Sequence, residues 1–186
     1  KVKRNWFKIT SIEQILLISD THGSAEADLE PFIKECSQVW HAGDWLNEDL
    51  VLLIEKLDKP LRAVYGNVDG TELKSRFPEE LFFNCEGKKV FIRHIAGYPN
   101  RYNKRTLQLI KQHKPDIVVA GHSHILKVIR DKQLNNLHLN PGAAGIKGFH
   151  KVRTMLRFKI DNGRIFDMDV IELSSKRSIS KENHES

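Results

Sequence analysis

The sequence predicts an α/β fold built on a parallel sheet, and three observations carry that prediction. Ile15-Leu16-Leu17-Ile18-Ser19 is an apolar run without alternation, bounded by turn formers, as expected of a strand buried on both faces. Two further strand-like segments, 39–44 and 61–65, follow with a helical pattern in each gap, and strand, helix, strand, helix, strand implies right-handed crossovers into one sheet. Each of these strands also runs into an Asp or Asn, at Asp20, Asp44 and Asn67. Ligands in α/β folds collect at that edge, where loops vary freely on a rigid support.

Taken in order, residues 1–11 form a basic leader and 12–19 the first strand. Residues 25–36 read as a helix with Leu29, Phe32, Ile33 and Cys36 on one face. Pro31 is compatible only with its first turn, which moves the expected start past Ala25. A second helix starts at Asn47 or Glu48, runs through Leu57, and is stopped by Lys59-Pro60. After the third strand the pattern changes to a hairpin, 81–84 and 89–94, turning at Glu86-Gly87-Lys88 and ending on His94. A third helix spans 101–113 with Leu107, Ile110 and the stem of Lys111 inward. Residues 116–120 then repeat the opening pattern and deliver His122 and His124 together. Strands at 126–130, 137–140, 152–160 and 164–172 follow, the last two joined by Asp161-Asn162-Gly163, a strong hairpin turn. The polar segment 174–186 has too little apolar content to pack and is expected to be disordered.

A chain of 186 residues is long enough for one sizeable core and short for two, so one domain is expected over 12–173. Cys36 and Cys85 form no Cys-x-x-Cys pair, which argues against a disulfide framework or a thiolate metal site and for a reducing, cytoplasmic setting. No apolar run approaches membrane-spanning length. The formal charge of +6 is concentrated at the ends, in Lys1, Lys3, Arg4 and Lys8 and again after Ser174, leaving about +1 on the body. No broad basic face for nucleic acid is implied.

The strand ends present Asp20 and His22, Asp44, Asn67, His94, and His122 with His124. Any one of them is weak evidence, since Asp and Asn commonly cap helices or close turns. Together they form a donor set too rich in nitrogen for calcium or magnesium alone and suited to manganese, iron, zinc or nickel. Seven donors exceed the needs of one ion with an open position. Two ions bridged by one carboxylate use them all, and such a pair, about 3.5–4 Å apart, serves displacement at phosphorus.

The ordered motifs Asp20-Thr21-His22, Gly43-Asp44, Gly66-Asn67, His94 and Gly121-His122-Ser123-His124 resemble those of the calcineurin-like metallophosphoesterases, and of their small single-domain bacterial and archaeal phosphodiesterase branch in particular. The resemblance implies a four-layer α/β/β/α sandwich of two mixed β-sheets flanked by helices. By position it assigns Asp20, His22 and His124 to one ion and Asn67, His94 and His122 to the other, with Asp44 bridging. Asp44, Asn67 and His94 also count as catalytic. The implied activity is a metal-dependent phosphodiesterase in which a hydroxide bridging two divalent ions, manganese first among them, attacks a small-molecule phosphoester. The same branch resembles a retromer subunit, so the competing expectation is a protein-binding scaffold; homo-oligomer formation is left open. His41, His113, His138, His150 and His184 match no motif and are expected to be ordinary histidines. Two departures stand out: Val68 occupies the place where many members carry a proton-donating His, and His94-Ile95-Ala96-Gly97 replaces a His-Gly turn.

Overall fold

The computed structural model describes residues 12–173; the basic leader and the polar tail lie outside them. In chain order the elements are β1 (Glu13–Ile18), α1 (Glu26–Glu35), β2 (Gln38–His41), α2 (Asp49–Lys56), β3 (Leu61–Ala63), α3 (Thr71–Arg76), β4 (Glu80–Cys85), β5 (Lys88–Arg93), α4 (Lys104–His113), β6 (Ile117–Val119), β7 (Leu126–Asp131), β8 (Asn136–Pro141), β9 (Arg153–Asp161) and β10 (Arg164–Leu173). They form two mixed five-stranded sheets, ordered β10-β9-β1-β2-β3 and β4-β5-β6-β8-β7. β1, β2 and β3 are parallel in the first, as are β5, β6 and β8 in the second.

The apolar run of β1 explains the layering. Successive side chains on a strand point to opposite faces. Leu16 and Ile18 pack with Leu29 and Ile33 of α1 and Leu50 and Ile54 of α2, whereas Ile15 and Leu17 meet Val90, Ile92, Ile117 and Val119 of the second sheet. On the outer face of that sheet, Phe91 and Val118 receive Leu109 and Ile110 of α4. The result is the expected α/β/β/α sandwich. A strand without polar alternation is one with apolar neighbours on both sides.

Several local expectations are corrected. α1 starts at Glu26 with Pro31 inside it. Both Pro31 and Ala27, whose carbonyl loses its helical donor, are exposed, so water can serve that carbonyl. α3 was not expected, because six residues with only Leu73 buried carry no periodic signal. α4 turns Thr106, Leu109 and Ile110 inward, and Lys111 is exposed. Asn103 caps it, accepting from Thr106 N–H at 2.8 Å. The same Asn103 also donates from Nδ2 to the Ile95 carbonyl at 2.5 Å and from its N–H to that of Ala96 at 3.1 Å, which is how the departed turn after His94 is held.

His138 is an ordinary core histidine with a measurable consequence. Burial, aided by the charge of Lys127, pushes its imidazole down to about 4, and the Tyr102 hydroxyl shares a hydrogen bond with its Nδ1 at 3.3 Å. An unfolded-chain imidazole titrates near 6.5, so the neutral folded form contributes stability that is complete above that pH and is lost as pH falls toward 4. The contribution is about 3 kcal/mol. Urea titrations at pH 7 and pH 4.5 are expected to show a smaller pH-dependent loss in His138→Gln than in wild type; equal losses would contradict this.

Candidate metal centre

All seven sequence-predicted donors converge beyond the C-terminal ends of parallel strands. Asp20, His22 and His124 each offer one ligand atom, all within 4.8 Å of one another, and Asp44, His94 and His122 do the same. Asn67 joins the second group, its Oδ1 3.1 Å from His94 Nε2. The carboxylates and His94 form a buried floor, whereas Asn67 and His122 are exposed at the rim.

The backbone that presents these side chains is under constraint. Asp20, His22, Asp44, His122 and His124 all adopt positive φ, between 49° and 65°. Such conformations cost a non-glycine residue about 1 kcal/mol or more each and cluster where function over-determines the chain. Cross-loop hydrogen bonds hold them: Asp20 N–H donates to the Gly43 carbonyl at 3.0 Å, His22 N–H to that of Asp44 at 3.1 Å, and Gly121 N–H to that of His94 at 3.0 Å. Asp69 takes four more, with Oδ1 accepting from Trp45 and Leu46 at 2.8 and 2.9 Å and Oδ2 from Asp44 and Gly66 at 3.1 and 2.7 Å. One buried carboxylate thus fastens the Gly-Asp loop to the Gly-Asn loop. Gly66 is required by close approach, because a Cβ there would overlap the carboxylate and backbone N of Asp44.

The donor set fits divalent cations. Asp20 Oδ1 is buried and accepts no hydrogen bond, although His124 Nε2 lies 3.1 Å away. A buried carboxylate oxygen without a donor is costly, and a cation relieves it. His94 Nδ1–H donates to the Ala42 carbonyl at 2.7 Å, which turns Nε2 toward Asp44 Oδ2 at 3.2 Å. Burial opposes ionisation of Asp44, yet the hydrogen bond and charge of His94 and the Val68 N–H, 3.1 Å from Oδ1, hold its carboxyl below the usual range. Burial depresses His94, and the hydrogen bond to Asp44 with the charges of Asp20 and Asp44 outweighs it, so that imidazole is raised. For His22 burial prevails over the same two carboxylates and lowers it toward the neutral form that a metal takes.

Two cavities flank the centre and share Asn67. One, about 570 Å3, opens over His22, Asp44, His122 and His124 and is walled by Val68, Ile125, Lys147 and Phe149. The other, about 370 Å3, reaches His94 between Tyr65, Lys74 and Arg93. Arg101, Lys104 and Arg105, which sequence position places just beyond His94, line neither; Arg105 pairs with Glu80 at 2.7 Å. Trp45, which follows Asp44, is packing, stacked between His41 at 3.4 Å and Phe77 at 5.1 Å. His41 and His113 are structural, the latter against Phe82, and His184 lies outside the described residues. His150 is the correction: it belongs to no motif, yet its Nδ1 lies 3.1 Å from His124 Nδ1.

Comparison with known proteins identifies the family. Residues 14–163 match the calcineurin-like phosphoesterase superfamily domain. A protein of Methanothermobacter thermautotrophicus named probable metallophosphoesterase is 27% identical over 165 residues, covering 83% of this chain and 90% of that protein. Among solved structures, one described as a novel archaeal phosphodiesterase superposes with a TM-score of 0.68 at 23% identity, over 86% of this chain and 99% of the other. Wild-type Vps29 of Entamoeba histolytica, solved as a zinc complex, gives 0.61 at 16% identity, over 86% and 98%. At those identities the two structures speak for the fold alone, while the domain match covers most of the chain: this protein belongs to the calcineurin-like phosphoesterase superfamily.

Proposed function

We propose that this protein is a phosphodiesterase that works with two divalent transition-metal ions, and the observation that carries the reading is the convergence of seven donors into two adjoining groups over one open cavity. In this reading Asp20, His22 and His124 hold one ion, Asn67, His94 and His122 the other, and Asp44 is shared. When bound, such a pair supplies Lewis acidity and a hydroxide nucleophile at neutral pH. The chain supplies the rest. His94 is oriented by donating from Nδ1 to the Ala42 carbonyl, which points Nε2 at the second group, and Asp69 ties the backbone of Asp44 to that of Gly66, next to Asn67. A donor set of nitrogen and oxygen without thiolate suits manganese, with iron, zinc and nickel next. The free, buried Cys36 and Cys85 support a cytoplasmic setting.

A diester is favoured over a monoester because cavities lie on both sides of Asn67, leaving room for an ester arm in each. Likeness to Vps29 supports the competing reading, a protein-binding scaffold. Catalysis is favoured because all seven donors converge beside a cavity with room for a substrate, five of them on left-handed backbone. With manganese loaded, hydrolysis of bis-4-nitrophenyl phosphate is expected to exceed that of 4-nitrophenyl phosphate by at least about tenfold in kcat/KM, in proportion to about 1.4 kcal/mol of transition-state preference. A monoester preference would overturn the diester assignment. Two bound ions with neither ester cleaved would favour the scaffold.

Val68 bears on the leaving group. Its exposed side chain lines the larger cavity and can donate no proton. Asp69, the nearest carboxylate in sequence, is committed to four backbone N–H groups and cannot substitute. A positioned general acid is typically worth about 10²–10⁴-fold. The rate is therefore expected to depend steeply on leaving-group pKa across a graded ester series. Val68→His should raise turnover of alkyl esters selectively, by roughly tenfold, below the full range because Asp69 is not free to orient the ring. A flat dependence in wild type would reveal a proton donor elsewhere.

A further inference from the structure

We propose that His150 is a positioning residue for the first metal: it fixes the tautomer of His124 so that His124 Nε2 is bare and faces Asp20 and His22. The proposal rests on the two-metal reading above and concerns a residue outside every motif of the family resemblance.

The loop joining β8 to β9 carries His150 back over the site. At its start, Gly145 N–H donates to the Asp20 carbonyl at 3.0 Å, and a Cβ on Gly145 would collide with the backbone carbonyls of Asp20 and Thr21. At its far end, Arg153 is fully buried, donating from Nε to the Ala144 carbonyl at 2.7 Å and pairing with Asp28 at 2.6 Å. Between these anchors Gly148 adopts φ +123°, and a Cβ there would strike the ring of His124. The loop therefore lies directly against a metal-donor imidazole, and only glycine at 148 permits the approach.

The hydrogen-bond chain then has one solution for neutral rings. The Gly145 carbonyl can only accept, and His150 Nε2 lies 3.0 Å from it, so that nitrogen carries the proton. His150 Nδ1 is then an acceptor, and His124 Nδ1, 3.1 Å away with the rings edge to face, donates to it. The lone pair left on His124 is at Nε2, the atom 3.1 Å from Asp20 Oδ1 and 3.4 Å from His22 Nε2. Carbonyl, His150 and His124 thus form a relay whose last member is aimed at the cation position. Groups that orient a metal-binding imidazole through its other nitrogen typically change metal affinity about 10–100-fold when removed.

The test is calorimetric titration of zinc into metal-free wild type, His150→Ala and His150→Asn, with long-range 15N–1H spectra of the zinc-loaded proteins. His150→Ala is expected to weaken one of two sites by about 10–100-fold, leaving the other within roughly twofold. His150→Asn, whose Oδ1 can accept in place of the imidazole Nδ1, should recover most of that loss. In wild type the spectrum should show His124 protonated at Nδ1 and bound through Nε2. Unchanged affinity in His150→Ala, or zinc bound through His124 Nδ1, would overturn the inference while leaving two-metal binding intact. A wild type that takes up no zinc would overturn the proposed function and this inference together. If His150→Ala does not fold, the wild-type tautomer and the asparagine variant decide.

Discussion

Asp44→Ala is expected to abolish phosphoester hydrolysis, by at least about 10³-fold, at or beyond the range seen when one donor is removed from a preorganised electrostatic site. The reason is position. Asp44 has one oxygen 3.2 Å from His94 Nε2 and the other bound by the Val68 N–H, and it is the carboxylate between the two donor groups in the proposed assignment. Asn67→Ala, which removes a rim ligand of one ion, should cost less than Asp44→Ala and leave the first ion bound. Steady-state rates and metal content by elemental analysis on the same preparations check both. Near-full turnover with two ions in Asp44→Ala would refute the shared-carboxylate assignment.

The second large effect is expected at a residue that holds no metal. Asp69→Ala leaves four backbone N–H groups without their acceptor, three of them on the buried residues Asp44, Trp45 and Gly66. At about 1–3 kcal/mol for each buried unsatisfied donor, and with water reaching the Leu46 end, the loss should be about 3–5 kcal/mol by urea unfolding. Metal affinity should fall with it, because the Gly-Asp and Gly-Asn loops lose their common tie. Asp69→Asn retains one acceptor oxygen and turns an NH2 toward the other pair of N–H groups, so it should be little better than Ala. A loss below about 1 kcal/mol would show that the loops hold their shape without the carboxylate.

The seven donors were legible because each ends or follows a strand whose apolar run is itself legible. Asp20 and His22 follow β1, Asp44 follows β2, Asn67 follows β3, His94 follows β5, and His122 and His124 follow β6. The layering was legible for the same reason, since β1 without alternation demands partners on two faces. What escaped was non-local. Asp69 belongs to no motif and stands beside Val68 in sequence, whereas its bonds run back 23 to 25 residues to the Gly-Asp loop. His150 lies 26 residues from His124, in a loop whose Gly, Lys and Phe carry no periodic signal. The left-handed backbone at five donors was also not read from the sequence, although Asp and His adopt it several times more often than most residues. Pro31 misled by the opposite route: proline was expected only in a first turn, and α1 carries it further in, where both Pro31 and Ala27, which loses its helical donor, are exposed.

The central claim, that these seven side chains hold a pair of ions, is tested most directly by an anomalous-difference map from crystals of the manganese-loaded protein. The account predicts two peaks about 3.5–4 Å apart, one bounded by Asp20, His22 and His124, the other by Asn67, His94 and His122, with Asp44 in contact with both. A single peak, or two peaks that do not share Asp44, would contradict it.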